Sequence, residues 1–122
     1  MLEIKPVKGI AYTDKLQEFQ IPIEDANIFI AEDGEEIAHL ISYFDDNTLH
    51  IVEVECGDDI YIYDGIIRAA LSSAMIRNID RAQFHLRDVE NLKKLCFVKD
   101  DEKDIESIAK FLSKCKSCNV DK

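Results

Sequence analysis

Cys115 and Cys118, near the end of the chain, form a Cys-x-x-Cys motif. This spacing can hold half of a zinc site or a redox-active thiol pair. Zinc normally needs a second ligand pair, and a redox pair normally starts a helix, whereas this one follows a predicted helix. Cys56 and Cys96 complete a four-thiolate site only if the tail folds back. We therefore expect no metal and interpret residues 114–122 as a frayed tail, with a metal or redox accessory protein as an alternative.

The three histidines, His39, His50 and His85, are predicted in or next to strands and lie far apart in the sequence. Two histidines that share a metal ion on one element need a spacing such as HxH or HxxxH, and no such spacing occurs. We interpret all three as surface or hydrogen-bonded structural residues. This includes His85, which opens the loop after a strand.

The chain of 122 residues is acidic, with 15 Lys+Arg, 25 Asp+Glu and a formal charge of −10. Nucleic acids and anionic membrane surfaces are disfavoured as partners, because both require a basic patch. No apolar run approaches the roughly 18 residues of a membrane-spanning helix, and no targeting segment is visible. Four cysteines are too few for a disulfide scaffold. We predict a cytoplasmic protein with a single domain over residues 1–122.

Apolar periodicity and turn signals divide the chain into short strands and helices. The longest helix is predicted to have Asp64 as its N-cap, Gly65 in its first turn and Asn78 at its end. Strands are predicted at residues 1–7, 28–31, 36–44, 48–55, 81–86 and 97–98, and helices at 13–19, 64–78, 88–95 and 105–113. An antiparallel meander followed by a β-α-β crossover predicts an α+β domain, a mixed α/β sheet with helices on both faces.

This order of elements resembles that of the GNAT (N-acetyltransferase) superfamily. Residues Val54–Phe84, with DGIIRAALSSAMIRNIDRAQF after a central strand, resemble the acyl-CoA-binding strand–turn–helix of that family. Leu92–Phe97 is similar to its later Leu-Gly-Phe ending, with Cys96 in the place of the glycine. The resemblance extends from residue 28 to residue 97. It is closest to small, truncated-looking members with a Cys-Lys-Ser-Cys tail, and it implies a GNAT-like acyl-CoA N-acyltransferase fold.

The resemblance implies acetyl-CoA or another acyl-CoA as cofactor. In the family, a turn of the form Gln/Arg-x-x-Gly-x-Gly/Ala lets backbone amides at a helix N-terminus approach the cofactor pyrophosphate. By analogy, the amides of Gly65, Ile66 and Ile67 would face the pyrophosphate, and Val54 and Glu55 would hold the pantetheine arm.

This phosphate-binding motif is degenerate. Ile60 stands in the place of the basic residue and Tyr63 in the place of the first glycine. Asp58, Asp59 and Asp64 add negative charge where an anionic cofactor would bind. Together these departures argue against tight binding of CoA in the usual pose.

Glu53 and Glu55 lie two residues apart on the predicted central strand and therefore share one face. The resemblance implies that one of them is a general base for direct attack of an amine on the thioester. The alternative is a pair of solvated or cross-strand-paired glutamates. The family's catalytic tyrosine, four residues before the glycine position, is replaced by Leu92.

Two functions from different classes follow. The first is an acyl-CoA-dependent N-acyltransferase for a small-molecule or peptide amine. The second is a catalytically silent GNAT-fold binding or interaction module. In this second case, apolar surface around residues 60–63 would bind a protein partner or form a homodimer.

Overall fold

The computed structural model describes residues 2–86, 89–98 and 103–113. In these ranges six strands form one mixed sheet in which the spatial order equals the chain order. The strands are β1 (Glu3–Val7), β2 (Ala26–Glu32), β3 (Glu36–Asp45), β4 (Thr48–Glu55), β5 (Ala82–Phe84) and β6 (Asp104–Ile105). Neighbouring strands run antiparallel except β4 and β5, which are parallel. The predicted α+β class with a mixed sheet is confirmed.

Helices pack on both faces of this sheet. They are α1 (Thr13–Glu18), α2 (Ile60–Ile76) and α3 (Glu90–Lys94), and residues 108–113 are also helical. α2 connects β4 to the parallel β5, so that β4, α2 and β5 form the predicted crossover. Asn78 follows α2 in the left-handed conformation, with φ 62°, as its residue type predicted.

Two apolar clusters hold these layers together. The larger lies under α2, where Ile66, Ile67 and Leu71 meet Leu49 and Ile51 of β4. The smaller lies under α1 on the opposite face of the sheet and comprises Leu16, Ile21, Ile28 and Ile41. This division follows from the side-chain alternation of strands, which gives each central strand one set of apolar residues per face.

The predicted start of the long helix was wrong, because α2 begins at Ile60 and not after Asp64. Asp59 is the N-cap, and its Oδ1 accepts hydrogen bonds from the amides of Tyr61 and Ile62 at 3.0 and 3.2 Å. Asp64 instead bonds Arg68, one turn further along the helix, at 3.0 Å. Either aspartate could cap a helix by its residue type. Burial of Ile62 in the core favours the earlier start.

Gly65 therefore lies inside α2 and not in a turn. A Cβ at this position would come within 3.0 Å of Ile4 Cδ1, so the glycine lets β1 approach the helix closely. Two smaller expectations also differ. Phe97 and Val98 are buried but do not form a strand, and Ile105, predicted to start a helix, lies in β6. The predicted cap of α3 at Asp88 lies outside the described residues.

Candidate ligand-binding cleft

β4 extends past the end of its parallel neighbour. The β4–β5 pairing runs from Leu49 opposite Ala82 to Ile51 opposite Phe84, and the amide of His85 donates the next bond to the Ile51 carbonyl at 2.8 Å. β4 then continues to Glu55 with β3 as its only strand neighbour in the described part of the chain. The two parallel strands therefore separate at their carboxyl ends, where ligands bind in many α/β sheets.

A β-bulge lies at the point of separation. The β3–β4 register shifts between Ile41 and Ser42, which face Glu53 and Ile51, so Val52 is the extra residue of β4. A bulge bends its strand and increases the local twist. Glu53 and Glu55 face Ile41 and His39 of β3, and they therefore share one face of the sheet, as the sequence spacing predicted.

The gap between the strands forms an open cleft of about 580 Å³. Its described lining residues are Glu18, Phe19, Val52, Glu53, Val54, Glu55, Cys56, Gly57, Asp58, Tyr63, His85, Leu86 and Asn91. Four of these carry a carboxylate, and none of the described lining residues is a lysine or arginine. Because clefts focus the field of their lining charges, this one favours cations over anions.

Glu53 is held in place by two partners. Its Oε1 accepts a hydrogen bond from Lys15 Nζ of α1 at 3.3 Å, and its Oε2 lies 2.6 Å from His39 Nε2 of β3. The side chain is 19% exposed, so it is reachable from the cleft but largely enclosed. The hydrogen bond and charge of Glu53 raise the pKa of Lys15, and the charges of Glu18 and Glu55 add smaller effects. Lys15 is therefore a firmly protonated partner of the carboxylate.

His39 extends this network away from the cleft. Its Nδ1 lies 3.9 Å from Oε2 of Glu36, and the Tyr12 hydroxyl donates a hydrogen bond of 2.6 Å to Oε1 of the same carboxylate. The Tyr12 and His39 rings also contact each other, with centroids 5.4 Å apart. Burial and the Glu36 carboxylate raise the pKa of Tyr12, which keeps its hydroxyl a donor. The turn before α1 is thus connected through β3 to Glu53.

The opposite wall of the cleft carries a histidine pair. His85 Nε2 lies 2.9 Å from His50 Nδ1, and His50 Nε2 lies 3.3 Å from the carbonyl of Asp45. Tyr43 stacks on His50 with ring centroids 4.7 Å apart. Burial, then the charges of His50 and Lys103, lower the pKa of His85 from 6.5.

His85 is exposed and hydrogen-bonded, as the sequence predicted, with His50 as its partner, and it also lines the cleft. One signal in the sequence pointed to the cleft. His85 directly follows a strand predicted to be parallel to β4, and the carboxyl ends of adjacent parallel strands meet at one edge. Its contact with His50 joins residues 35 positions apart and has no local sequence signature.

The residues implied as cofactor ligands fall into two groups. Val54 and Glu55 line the cleft on the edge of β4 that no described strand pairs with, where an extended arm could bond to the backbone. Gly65, Ile66 and Ile67 lie beyond the first turn of α2. Amides there are engaged within a helix, so they are not free to face a pyrophosphate.

The phosphate part of CoA does not fit the residues that are present. The turn that binds it in the family corresponds to residues 60–65, and all of these are helical. The carboxylate of Asp59 already accepts hydrogen bonds from two amides of the first turn, those of Tyr61 and Ile62. Burial, followed by the charges of Asp59, Glu55 and Asp58, raises the pKa of Cys56 at this end of the cleft. A pyrophosphate at this position would meet a carboxylate in place of free donors.

Other expectations concern the surface, metals and the membrane. Tyr61 is 86% exposed, but Ile62 and Tyr63 are buried, so the apolar surface expected at residues 60–63 is largely absent. Among the described residues, no cluster of three or more His, Cys, Asp or Glu side chains could hold a metal. Cys115 and Cys118 lie outside them. None of the described helices is both long and apolar enough to span a membrane.

Solved structures with a similar fold are acetyltransferases. A protein from Exiguobacterium sp. 255-15, whose acetyltransferase function is itself inferred, superposes with a TM-score of 0.65 over 93% of this chain and 98% of its own, at 11% identity. A Bacillus subtilis acetyltransferase in complex with CoA gives 0.52, at 14% identity, over 69% of this chain and 64% of its own. A GNAT-family acetyltransferase from Staphylococcus aureus Mu50 gives 0.50 at 10% identity, over 80% of each chain.

The chain therefore has the GNAT acyl-CoA N-acyltransferase fold, as the resemblance implied. No protein-family model and no curated protein matches its sequence. The glycine position of the Leu-Gly-Phe ending fits this fold, because Cys96 adopts φ 65° there, a conformation that favours glycine. Leu92, in the place of the catalytic tyrosine, is fully buried.

Proposed function

We propose that the chain is a GNAT-fold binding module that holds a cationic amine in the cleft between β4 and β5. The amine belongs to a small molecule or a peptide. The observation that carries this proposal is the lining of the cleft, with four carboxylates and no lysine or arginine among its described residues. In the same cleft the phosphate-binding turn is replaced by a capped helical turn.

Glu53 is the main ligand in this proposal. Its carboxylate already bonds an ammonium group, that of Lys15, and a ligand ammonium can share or replace this contact. Charge-assisted hydrogen bonds of this kind are stronger than neutral ones. Glu18, Glu55 and Asp58 also line the cleft and add to its negative field.

Matched ligands test this proposal. Thermal shift and calorimetric titration with 1,4-diaminobutane, with 1,4-butanediol as a neutral control of the same length, separate charge recognition from general solvent effects. We expect the diamine, and not the diol, to raise the melting temperature in a concentration-dependent way. Added salt should weaken binding, since the lining charges are partly solvated. An equal response to both compounds, or none to either, contradicts the proposal.

Acyl transfer from acyl-CoA to such an amine is the second candidate. The edge of β4 at Val54 and Glu55 that no described strand pairs with favours it, because a pantetheine arm can bond there as an added strand. A titration with acetyl-CoA up to about 1 mM, combined with a thiol-release assay, distinguishes the two functions. We expect no shift and no release. A saturable shift with amine-dependent release of CoA favours acyl transfer instead.

A further inference from the structure

The histidine pair fixes which ring nitrogens carry hydrogen. The Asp45 carbonyl can only accept, so His50 Nε2 is the donor in their 3.3 Å contact. In the neutral imidazole of His50, Nδ1 is then an acceptor. His85 Nε2 must therefore donate to His50 across the 2.9 Å contact. This leaves Nδ1 of a neutral His85 without a proton.

We propose that His50 is a positioning residue that holds His85 in the tautomer whose Nδ1 accepts a hydrogen bond from the amine in the cleft. The inference rests on the proposed amine-binding function and adds a neutral acceptor to the carboxylates of the opposite wall. His85 lines the cleft, while His50 is fixed between the Asp45 carbonyl and the ring of Tyr43. The three rings stack in series, since His50 and His85 are 5.1 Å apart at their centroids.

The neutral state of His85 is essential to this role. Protonation would turn Nδ1 from an acceptor into a donor and would add a positive charge beside a cationic ligand. Desolvation is the largest effect that opposes protonation of His85, and the charge of Lys103 acts in the same direction, so the pKa of His85 is lowered and its neutral form predominates above pH 6.5 while His50 is also neutral. The described ionisable residues that line the cleft with His85 are Glu18, Glu53, Glu55, Cys56, Asp58 and Tyr63, and His50 and Lys103 also act on His85.

Two substitutions of His50 separate positioning from packing. His50→Phe keeps a ring that can stack between Tyr43 and His85 but removes both nitrogens. His50→Gln restores one donor and one acceptor, and it can bond both the Asp45 carbonyl and His85 Nε2. We expect the Phe variant to bind 1,4-diaminobutane about threefold to tenfold more weakly at pH 7.5, the range for loss of one hydrogen bond. The Gln variant should recover most of this loss.

The pH profile supplies a readout that packing alone would not change. In the wild-type protein, the affinity for the diamine should be highest where His85 is neutral and should fall as the pH drops through its pKa, which lies below 6.5. His85→Gln retains an acceptor and a donor but does not titrate. Its affinity should stay flat down to about pH 5, where the carboxylates begin to protonate. Equal profiles for the two proteins overturn the inference.

Long-range proton–nitrogen NMR spectra of the ligand-free protein test the tautomer directly. We expect the hydrogen on Nε2 of His85 at pH 7.5, and its redistribution between the two nitrogens in His50→Phe. A hydrogen on Nδ1 in the wild-type protein overturns the inference whatever the ligand does. Absence of any amine binding overturns the proposed function and the ligand contact together. Amine binding that His50→Phe leaves unchanged overturns the positioning role alone.

Discussion

The two halves of β4 have different surroundings although they belong to one strand. Residues 48–51 pair with β3 on one side, residues 49–51 also pair with β5 on the other, and Leu49 and Ile51 are fully buried. Within the described residues, 52–55 have β3 as their only strand neighbour, begin with a bulge and are all half-buried or exposed. The first half is therefore built for stability, and the second half forms the wall of the cleft.

This difference shows how one strand can serve both purposes. Alternation places apolar residues on the α2 face of the first half, and the bulge at Val52 resets this alternation. After the bulge, Glu53 and Glu55 point to the face of α1, while Val54 still packs against the larger cluster. The carboxylates can then face the cleft without being enclosed in the core.

The largest expected effect tests directly whether the first half of β4 contributes more to stability than the second half. Ile51→Ala removes a fully buried side chain from the larger cluster and should lower the free energy of unfolding by about 3 kcal/mol. Val54→Ala, in the second half, removes a partly buried side chain and should cost about 1 kcal/mol. Urea unfolding with equal m-values measures both. Equal costs would show that the second half is as important for stability as the first.

The fold was largely predictable from the sequence because its signals are local. Alternation in β2 to β4 and the turn residues between them define the meander, and Asn78 and Ala82–Phe84 mark the crossover. The start of α2 was not predictable in the same way. Asp59 and Asp64 are equivalent as caps, and only the burial of Ile62 and Tyr63 distinguishes them.

The cleft was predictable only in part. The shared face of Glu53 and Glu55 follows from their spacing, so it could be stated without coordinates. The contacts of Lys15 and His39 with Glu53 could not be predicted, because the two residues approach Glu53 from different elements. The contact of His50 with His85 likewise depends on the parallel pairing of two strands that a long helix separates.

A smaller effect is expected when the charge of Glu53, in the second half of β4, is removed. Glu53→Gln keeps the shape of the side chain but removes the charge, and it should weaken binding of the diamine about tenfold. The stability cost should stay below about 1 kcal/mol, as for other partly exposed ion pairs. Glu55→Gln is the matched control, because Glu55 lines the same cleft and is exposed.

Calorimetric titration and urea unfolding of both variants decide this prediction. Glu55→Gln should lose at most about threefold in affinity, since a solvated charge acts only through a screened field. A large loss of stability in Glu53→Gln, comparable to that of Ile51→Ala, would assign Glu53 a structural role. Equal affinity losses in the two glutamine variants would show that the contacts of Glu53 with Lys15 and His39 do not matter for binding.

The smallest expected effect concerns the hydrogen bonds that connect a residue before β5, the neighbour of the first half of β4, to residues that follow β6. Asp80, just before β5, accepts hydrogen bonds from the amide of Ala109 at 2.9 Å and the hydroxyl of Ser107 at 2.7 Å. The Ala109 amide, followed by Ser107, lowers the pKa of Asp80 below 3.8.

A carboxylate with a depressed pKa in the folded state adds stability above its unfolded pKa and loses it as the pH falls through the folded value. Asp80→Asn should therefore lower the free energy of unfolding by about 0.5 kcal/mol at pH 7, and this difference should shrink below pH 3.8. Urea unfolding at a series of pH values measures it, with Asp58→Asn, in the cleft, as a control that lacks such bonds in the described structure. If the difference in free energy of unfolding between Asp80→Asn and the wild-type protein stays the same at low pH, Asp80 acts by its shape and not by its charge. The charge of Asp80 would then not help to hold β5 beside the first half of β4.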